Sequence, residues 1–207
     1  MNINFGNSFL LVLAIGLTAC ASEKATAEPA VQASEPEQAA STKPDAEAKA
    51  EFVMALDGEG LRLVNSETGS TRLLPFGTDR TTTETAIAKQ LGAVANRSSN
   101  EECGAGPMEF SNFGNFIGNF QDDLFVGWDL RDGDKKAALT TMSGVGIGMT
   151  RSEMAESVAF DIYEDSTIGT EFQTGGDEPG GFSGLFDSDA PDARITDLWA
   201  GTNCIFR

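Results

Sequence analysis

Gly148-Met149-Thr150-Arg151-Ser152-Glu153-Met154, set beside Gly77-Thr78-Asp79-Arg80-Thr81, decides how most of this chain is read. Each stretch opens on glycine and places a small oxygen-bearing side chain directly before an arginine. With the two aligned, Ile87 falls on Val158 and Trp128 on Trp199 at a common spacing of 71. Phe116-Ile117-Gly118-Asn119-Phe120 falls on Phe182-Ser183-Gly184-Leu185-Phe186 at a spacing of 66, and the longer loop 187–194 restores the difference. The pattern reads as one unit present twice, over about 77–128 and 148–199.

Each copy begins as a short helix. Thr81-Thr82-Thr83-Glu84 has the spacing of a capping box, and Gly92 after Leu91 is a stop signal. Thr150 to Glu153 has the same spacing, with Met149 and Met154 placed as a hydrophobic staple. Helices this brief depend on tertiary packing. A loop rich in Gly, Asn and acids follows each helix, and then strands. Phe116 and Phe120 share a face by period two, as do Phe182 and Phe186. Segments 124–130 and 195–198 read as closing strands, with the Trp and Phe residues as core. Ahead of the first copy, 52–56 and 61–64 form a hairpin through Asp57-Gly58-Glu59-Gly60, and 71–74 is a further strand. The expected fold class is α+β: two tandem helix-plus-antiparallel-strand repeats behind a β-hairpin, with short helices covering the sheet.

The amino end has a different character. The run 9–17, Phe-Leu-Leu-Val-Leu-Ala-Ile-Gly-Leu, is apolar and uncharged but far short of the ~20 residues that span a bilayer. A short apolar core followed by small residues has the form of a secretion signal, although residues 1–8 contain no Lys or Arg. Residues 21–50 hold Ala, Glu, Pro, Ser, Thr, Lys and Gln with one Asp, one Val and no aromatic. Pro29, Pro36 and Pro44 interrupt any helix there. Such a segment buries too little apolar surface to offset its ordering entropy, and as a coil it reaches roughly 30 Å. The layout expected is 1–19 signal peptide, 20–50 cysteine and linker, and 51–207 one domain.

Leu17-Thr18-Ala19-Cys20 resembles the lipobox of bacterial lipoproteins. That resemblance implies cleavage before Cys20 and a diacylglycerol thioether on its sulfur. Two or more acyl chains, at ~0.8 kcal/mol per buried methylene, anchor a protein stably without spanning the membrane. Ala21-Ser22 follow the cysteine, with no Asp directly after it, which in that family favours the outer membrane, facing the periplasm. Separately, Gly148 to Met154 resembles the helix start of small outer-membrane lipoproteins. The tandem helix-and-sheet units are similar to the β-lactamase inhibitory protein fold. These likenesses imply a fold type and a binding role, and no functional residue is carried over from them.

Composition restricts the chemistry. The chain carries a formal charge of −18, of which the linker, with six acids and three bases, holds −3. No charged side chain precedes it, so residues 51–207 hold −15. An acidic surface of this size repels nucleic acid, and none is expected as a partner. Cys103 and Cys204 are the only cysteines beyond Cys20, and an exported chain is expected to join them as a disulfide. The absence of His removes the commonest general base and most zinc sites. Gly144-Val145-Gly146-Ile147-Gly148 lacks the lysine of a phosphate loop and reads as a strand-to-helix connection. Asp187-Ser188-Asp189-Ala190-Pro191-Asp192 alternates oxygens like the start of a calcium loop but lacks the glycine at position six. The acids Asp161, Glu164, Asp165, Asp177 and Glu178 are too numerous for any pair to stand out.

The sequence thus favours a lipid-anchored, non-catalytic binding or envelope-assembly module with an envelope protein as partner. No cofactor, metal or catalytic residue is expected. The alternatives are a hydrolase of cell-envelope polymer that works through acidic residues, and a calcium- or small-ligand-binding module.

Overall fold

The computed structural model describes residues 51–133, 138–176 and 180–205. The expected signal peptide, Cys20 and the linker lie outside the described residues, as do Asp177 and Glu178. The first three strands, β1 (Phe52–Asp57), β2 (Gly60–Asn65) and β3 (Thr71–Pro75), form one antiparallel sheet in the order β1-β2-β3. Its first turn is the two-residue Gly58-Glu59 connection, with Asp57 paired to Gly60. Helix α1 (Arg80–Leu91) follows, then β4 (Asn96–Asn100), β5 (Met108–Asn112), β6 (Phe116–Gln121) and β7 (Leu124–Arg131). Helix α2 (Arg151–Ser157) precedes β8 (Phe160–Ile162), β9 (Thr170–Thr174), β10 (Ser183–Phe186) and β11 (Ile195–Gly201). These eight strands make a second sheet in the order β4-β5-β6-β7-β11-β10-β9-β8, antiparallel throughout.

This overturns the expected α+β class with its helix-plus-strand repeats. The described chain is mostly β, with two antiparallel sheets of three and eight strands and two short helices. The error has a physical source. The segments read as polar loops after each helix hold β4, β5, β8 and β9. β4 is Asn96-Arg97-Ser98-Ser99-Asn100, without one apolar side chain, and four of its five residues are exposed. An edge strand with open faces needs none, so hydrophobic alternation cannot reveal it. The helices do not cover the sheet alone; the three-stranded sheet shares that task.

The seam of the large sheet is the β7–β11 pair. Trp128 lies opposite Ala200 and Trp199 opposite Asp129, so positions 71 apart exchange partners across it. Period two then separates the faces. Trp128, Leu130, Leu198 and Ala200 point inward to the core with Phe116, Phe120, Phe172 and Phe186. Both outer hairpins carry a register shift, at Asn119/Phe120 on β6–β7 and at Leu185/Phe186 on β10–β11. The extra residue, Val126 on β7 and Thr196 on β11, returns Phe125 and Ile195 to the inner face. The first residue of each helix lays its guanidinium on one of these rings: Arg80 over Phe120 at 4.7 Å and Arg151 over Phe186 at 5.9 Å. The indole N–H of Trp128 donates to the carbonyl oxygen of Asp57 at 2.9 Å, tying the small sheet to the seam. Gly184 makes room for packing, since a Cβ there would sit 2.3 Å from the Asp197 carbonyl oxygen and 2.6 Å from the Phe172 ring.

The helix ends differ from their sequence reading on one point. Asp79, not Thr81, caps α1, its Oδ1 accepting from the Thr82 N–H at 2.9 Å. Glu84 turns away to accept from Arg97 Nε (3.1 Å) and Nη2 (2.6 Å) and from Ser111 Oγ (2.6 Å), bracing α1 on β4 and β5. The Thr150/Glu153 capping box forms as spaced, and Gly92 ends α1 at φ 82°.

Two predictions follow from this packing. Gly184→Ala lowers stability by about 1–3 kcal/mol, read from the urea midpoint, because both a backbone carbonyl and an aromatic ring must move. The Arg97 bonds hold the Glu84 carboxyl below its ordinary 4.5. Its contribution is therefore present above that value and lost as pH falls through the lower folded one. Glu84→Gln costs about 1 kcal/mol at neutral pH, limited by the exposure of Arg97, and the deficit narrows in acid.

Candidate functional site

The outer face of the large sheet is where charged and polar side chains meet half-buried apolar ones. The same alternation that buries Trp128 and Leu130 sends Gly127, Asp129 and Arg131 outward from β7. Across the seam they meet Gly201, Trp199 and Asp197 from β11, with Arg131 directly opposite Asp197. β6 adds Ile117 and Asn119, and β10 adds Ser183 and Leu185.

No sheet or helix among the described residues covers this face. The carboxy-terminal segment 202–205 crosses it instead. The Thr202 N–H donates to the Val126 carbonyl oxygen at 2.7 Å, and the Thr202 carbonyl lies directly over Gly127. A Cβ on Gly127 would stand 2.1 Å from that oxygen, so the close approach requires glycine there. Cys204 is joined to Cys103 by a disulfide, with Cα atoms 5.1 Å apart, and accepts a hydrogen bond from Asn100 Nδ2 on its sulfur. The bridge closes a sequence separation of 101 and constrains the unfolded chain by up to ~4.7 kcal/mol in the chain-entropy account. It also fastens this strap across the sheet.

The strap leaves a cavity on either side. One, of about 320 Å³, lies among Ile168, Leu185, Trp199 and Ile205. The other, of about 220 Å³, lies over β4, β5 and β6. Asp129 and Arg131 line both, and Asp197 lines the larger. Asp129 is 7 % exposed. Asn119 Nδ2 donates to its Oδ2 at 2.6 Å and to the Thr202 carbonyl at 3.3 Å. Burial pushes the Asp129 carboxyl above its ordinary 3.8; the Asn119 bond and the Arg131 charge oppose that, and the Asp197 charge adds to it. The arrangement places a buried carboxyl whose pKa is raised, a second acidic side chain lining the larger cavity with it, and a guanidinium lining both cavities.

The residues singled out from sequence are dispersed. Cys103 and Cys204 form the expected bond. Asp161, Glu164 and Asp165 are exposed and do not line either cavity. Asp187 Oδ1 accepts from the Arg194 N–H and Asp189 Oδ1 from Thr170 Oγ1, so both serve the turn before β11. Segment 144–148 leads into α2, but what precedes it is a pair of isolated bridges at Thr140 and Thr141 and not a strand. Sequence reading passed over Asn119, Asp129, Arg131 and Asp197. A signal existed for Asp129, a lone acid set between Trp128 and Leu130 in an apolar strand. No family model, curated protein or solved structure matches the chain.

The direction of the Asp129 shift fixes a pH dependence. The folded state keeps this proton to a higher pH than the unfolded chain, so stability from this group is full below 3.8 and declines as pH rises through the raised value. Asp129→Asn keeps an acceptor for Asn119 and removes the buried charge. Its urea midpoint is expected to exceed that of the parent at neutral pH, with the gain vanishing below pH 3.8. A gain that is constant with pH would show that another group is responsible.

Proposed function

We propose that the chain is a lipoprotein of the bacterial cell envelope, anchored through Cys20 to the outer membrane, whose folded part is a non-catalytic binding module. In this reading the strap-crossed face of the eight-stranded sheet receives an envelope protein. The lipobox-like Leu17-Thr18-Ala19-Cys20 and the linker after it support the anchored part. The observation that carries the binding part is the composition of the outer face. Phe110, Ile117, Ile168 and Leu185 stand half-buried on a side that no helix or sheet among the described residues covers. A face that met only water would have no use for them. The charge of −15 on residues 51–207 argues against nucleic acid as the partner.

One observation favours a second reading. Asp129 and Asp197 line the same cavity, the first inclined to keep its proton and the second beside it, as an acid and a base are placed in polymer hydrolysis. Turnover of peptidoglycan fragments that is abolished by either Asp→Asn change would establish that reading over the first.

The test of the main proposal joins two measurements in the native host. Peptide mass spectrometry of the membrane fraction is expected to find a chain that starts at an acylated Cys20; a chain that retains Met1 without acylation removes the anchor. A photo-crosslinking residue at Leu185 is expected to capture one defined envelope protein, while the same probe at the exposed Glu156 of α2 captures none. Equal labelling at both positions would sink the binding face.

A further inference from the structure

The cavity over β4, β5 and β6 differs in chemistry from its neighbour across the strap. Asn96, Ser98, Asn100 and Asn112 surround the ring of Phe110, and Asp129 and Arg131 form its far wall. Register explains the grouping. Ser98 lies opposite Phe110 and Asn96 opposite Asn112 on β4–β5, and Asn112 lies opposite Ile117 on β5–β6. All of these positions therefore share the outer face.

Several of these groups have no task inside the chain. The side chains of Asn96 and Ser98 make no hydrogen bond among the described residues. Asn112 uses only its Oδ1, accepting from the Gly114 N–H at 2.9 Å, and its amide donor is unused. Each amide both donates and accepts, and the serine hydroxyl does the same. The wall adds the Asp129 carboxyl, whose Oδ2 already accepts from Asn119, and a guanidinium that donates in a planar fork. Phe110 supplies an apolar plate among them, its electron-rich face suited to polarised C–H groups.

Ligand classes can be separated on these properties. A polyanion would meet the domain's charge of −15 and the buried Asp129 carboxyl. A cation would meet Arg131. A purely apolar molecule would strip water from three amides and give no bond in return. A ring that carries many hydroxyls around an apolar C–H face satisfies every group present. We infer that this cavity binds a neutral pyranose unit of a glycan chain, stacked on Phe110 and hydrogen-bonded through Asn96, Ser98 and Asn112. The inference rests on reading this face as a binding surface, and it assigns the chemistry of one half of it.

The experiment is calorimetric titration of the full chain with chitotriose and with cellotriose. Saturable binding of at least one is expected. Phe110→Leu and the double change Asn96→Ala/Ser98→Ala are each expected to weaken it about tenfold, while Glu156→Ala leaves it unchanged. The double change touches only exposed side chains, so it stands as a test even where Phe110→Leu fails to fold. Heat absent for both sugars overturns the inference, and so does binding that both variants retain in full. With crosslinking at Leu185 intact, a failed titration removes the sugar assignment alone; loss of both removes the face as a binding surface.

Discussion

The hydrogen bond from the Trp128 indole to the Asp57 carbonyl holds the three-stranded sheet against the middle of the eight-stranded one. Trp128 is fully buried on β7, at the seam where that strand meets β11. Removing a side chain of this size from a packed core costs ~3–5 kcal/mol, and here it would also leave a partly buried carbonyl without this donor. The inward positions next to it, Leu130, Leu198 and Ala200, complete the surface on which the small sheet and α1 rest. The two register shifts carry Phe125 and Ile195 back to that surface at the outer hairpins, opposite Phe120 and Phe186.

What is fixed on the inner face dictates the outer one. With Trp128 and Leu130 inward, Asp129 has to point the other way, and there it meets Trp199 and the strap. The carboxyl is buried because chain 202–205 is laid over it, and the chain lies there because Gly127 admits the Thr202 carbonyl and the disulfide fastens Cys204. Electrostatics and topology are thus coupled: the charge that is least comfortable in the fold lies beneath the segment that divides the open face. A stabilising packing choice on one side of a strand has produced a perturbed acid on the other.

The outer face is consequently not uniform. Toward β9 and β10 it is apolar and acidic, with Leu185, Trp199 and Asp197. Toward β4 and β5 it is amide-rich around one aromatic ring. This division gives the binding reading two kinds of ligand chemistry on one surface, and the strap is the boundary between them.

Sequence alone determined the local features. The hairpin at 57–60, the Thr150/Glu153 capping box, the Gly92 stop and the strands around Trp128 and Trp199 all follow from short-range turn chemistry, side-chain oxygens and period-two burial. The cysteine pair was legible because there was one obvious way to join the two residues beyond Cys20. Only tertiary structure decided the class of the fold. β4 and β8 pair as edges of a sheet whose other strands supply most of the apolar surface; β4 has no apolar side chain of its own, and the alternation of β8 is only three residues long. The site was hidden for the same reason. Asn119 and Asp129 lie on neighbouring strands of one hairpin, but Thr202 is distant in the chain and reaches them through β7–β11 pairing and a strap over Gly127. Burial, which turns an ordinary aspartate into a perturbed one, is a property of the whole packed face and is not written at any single position.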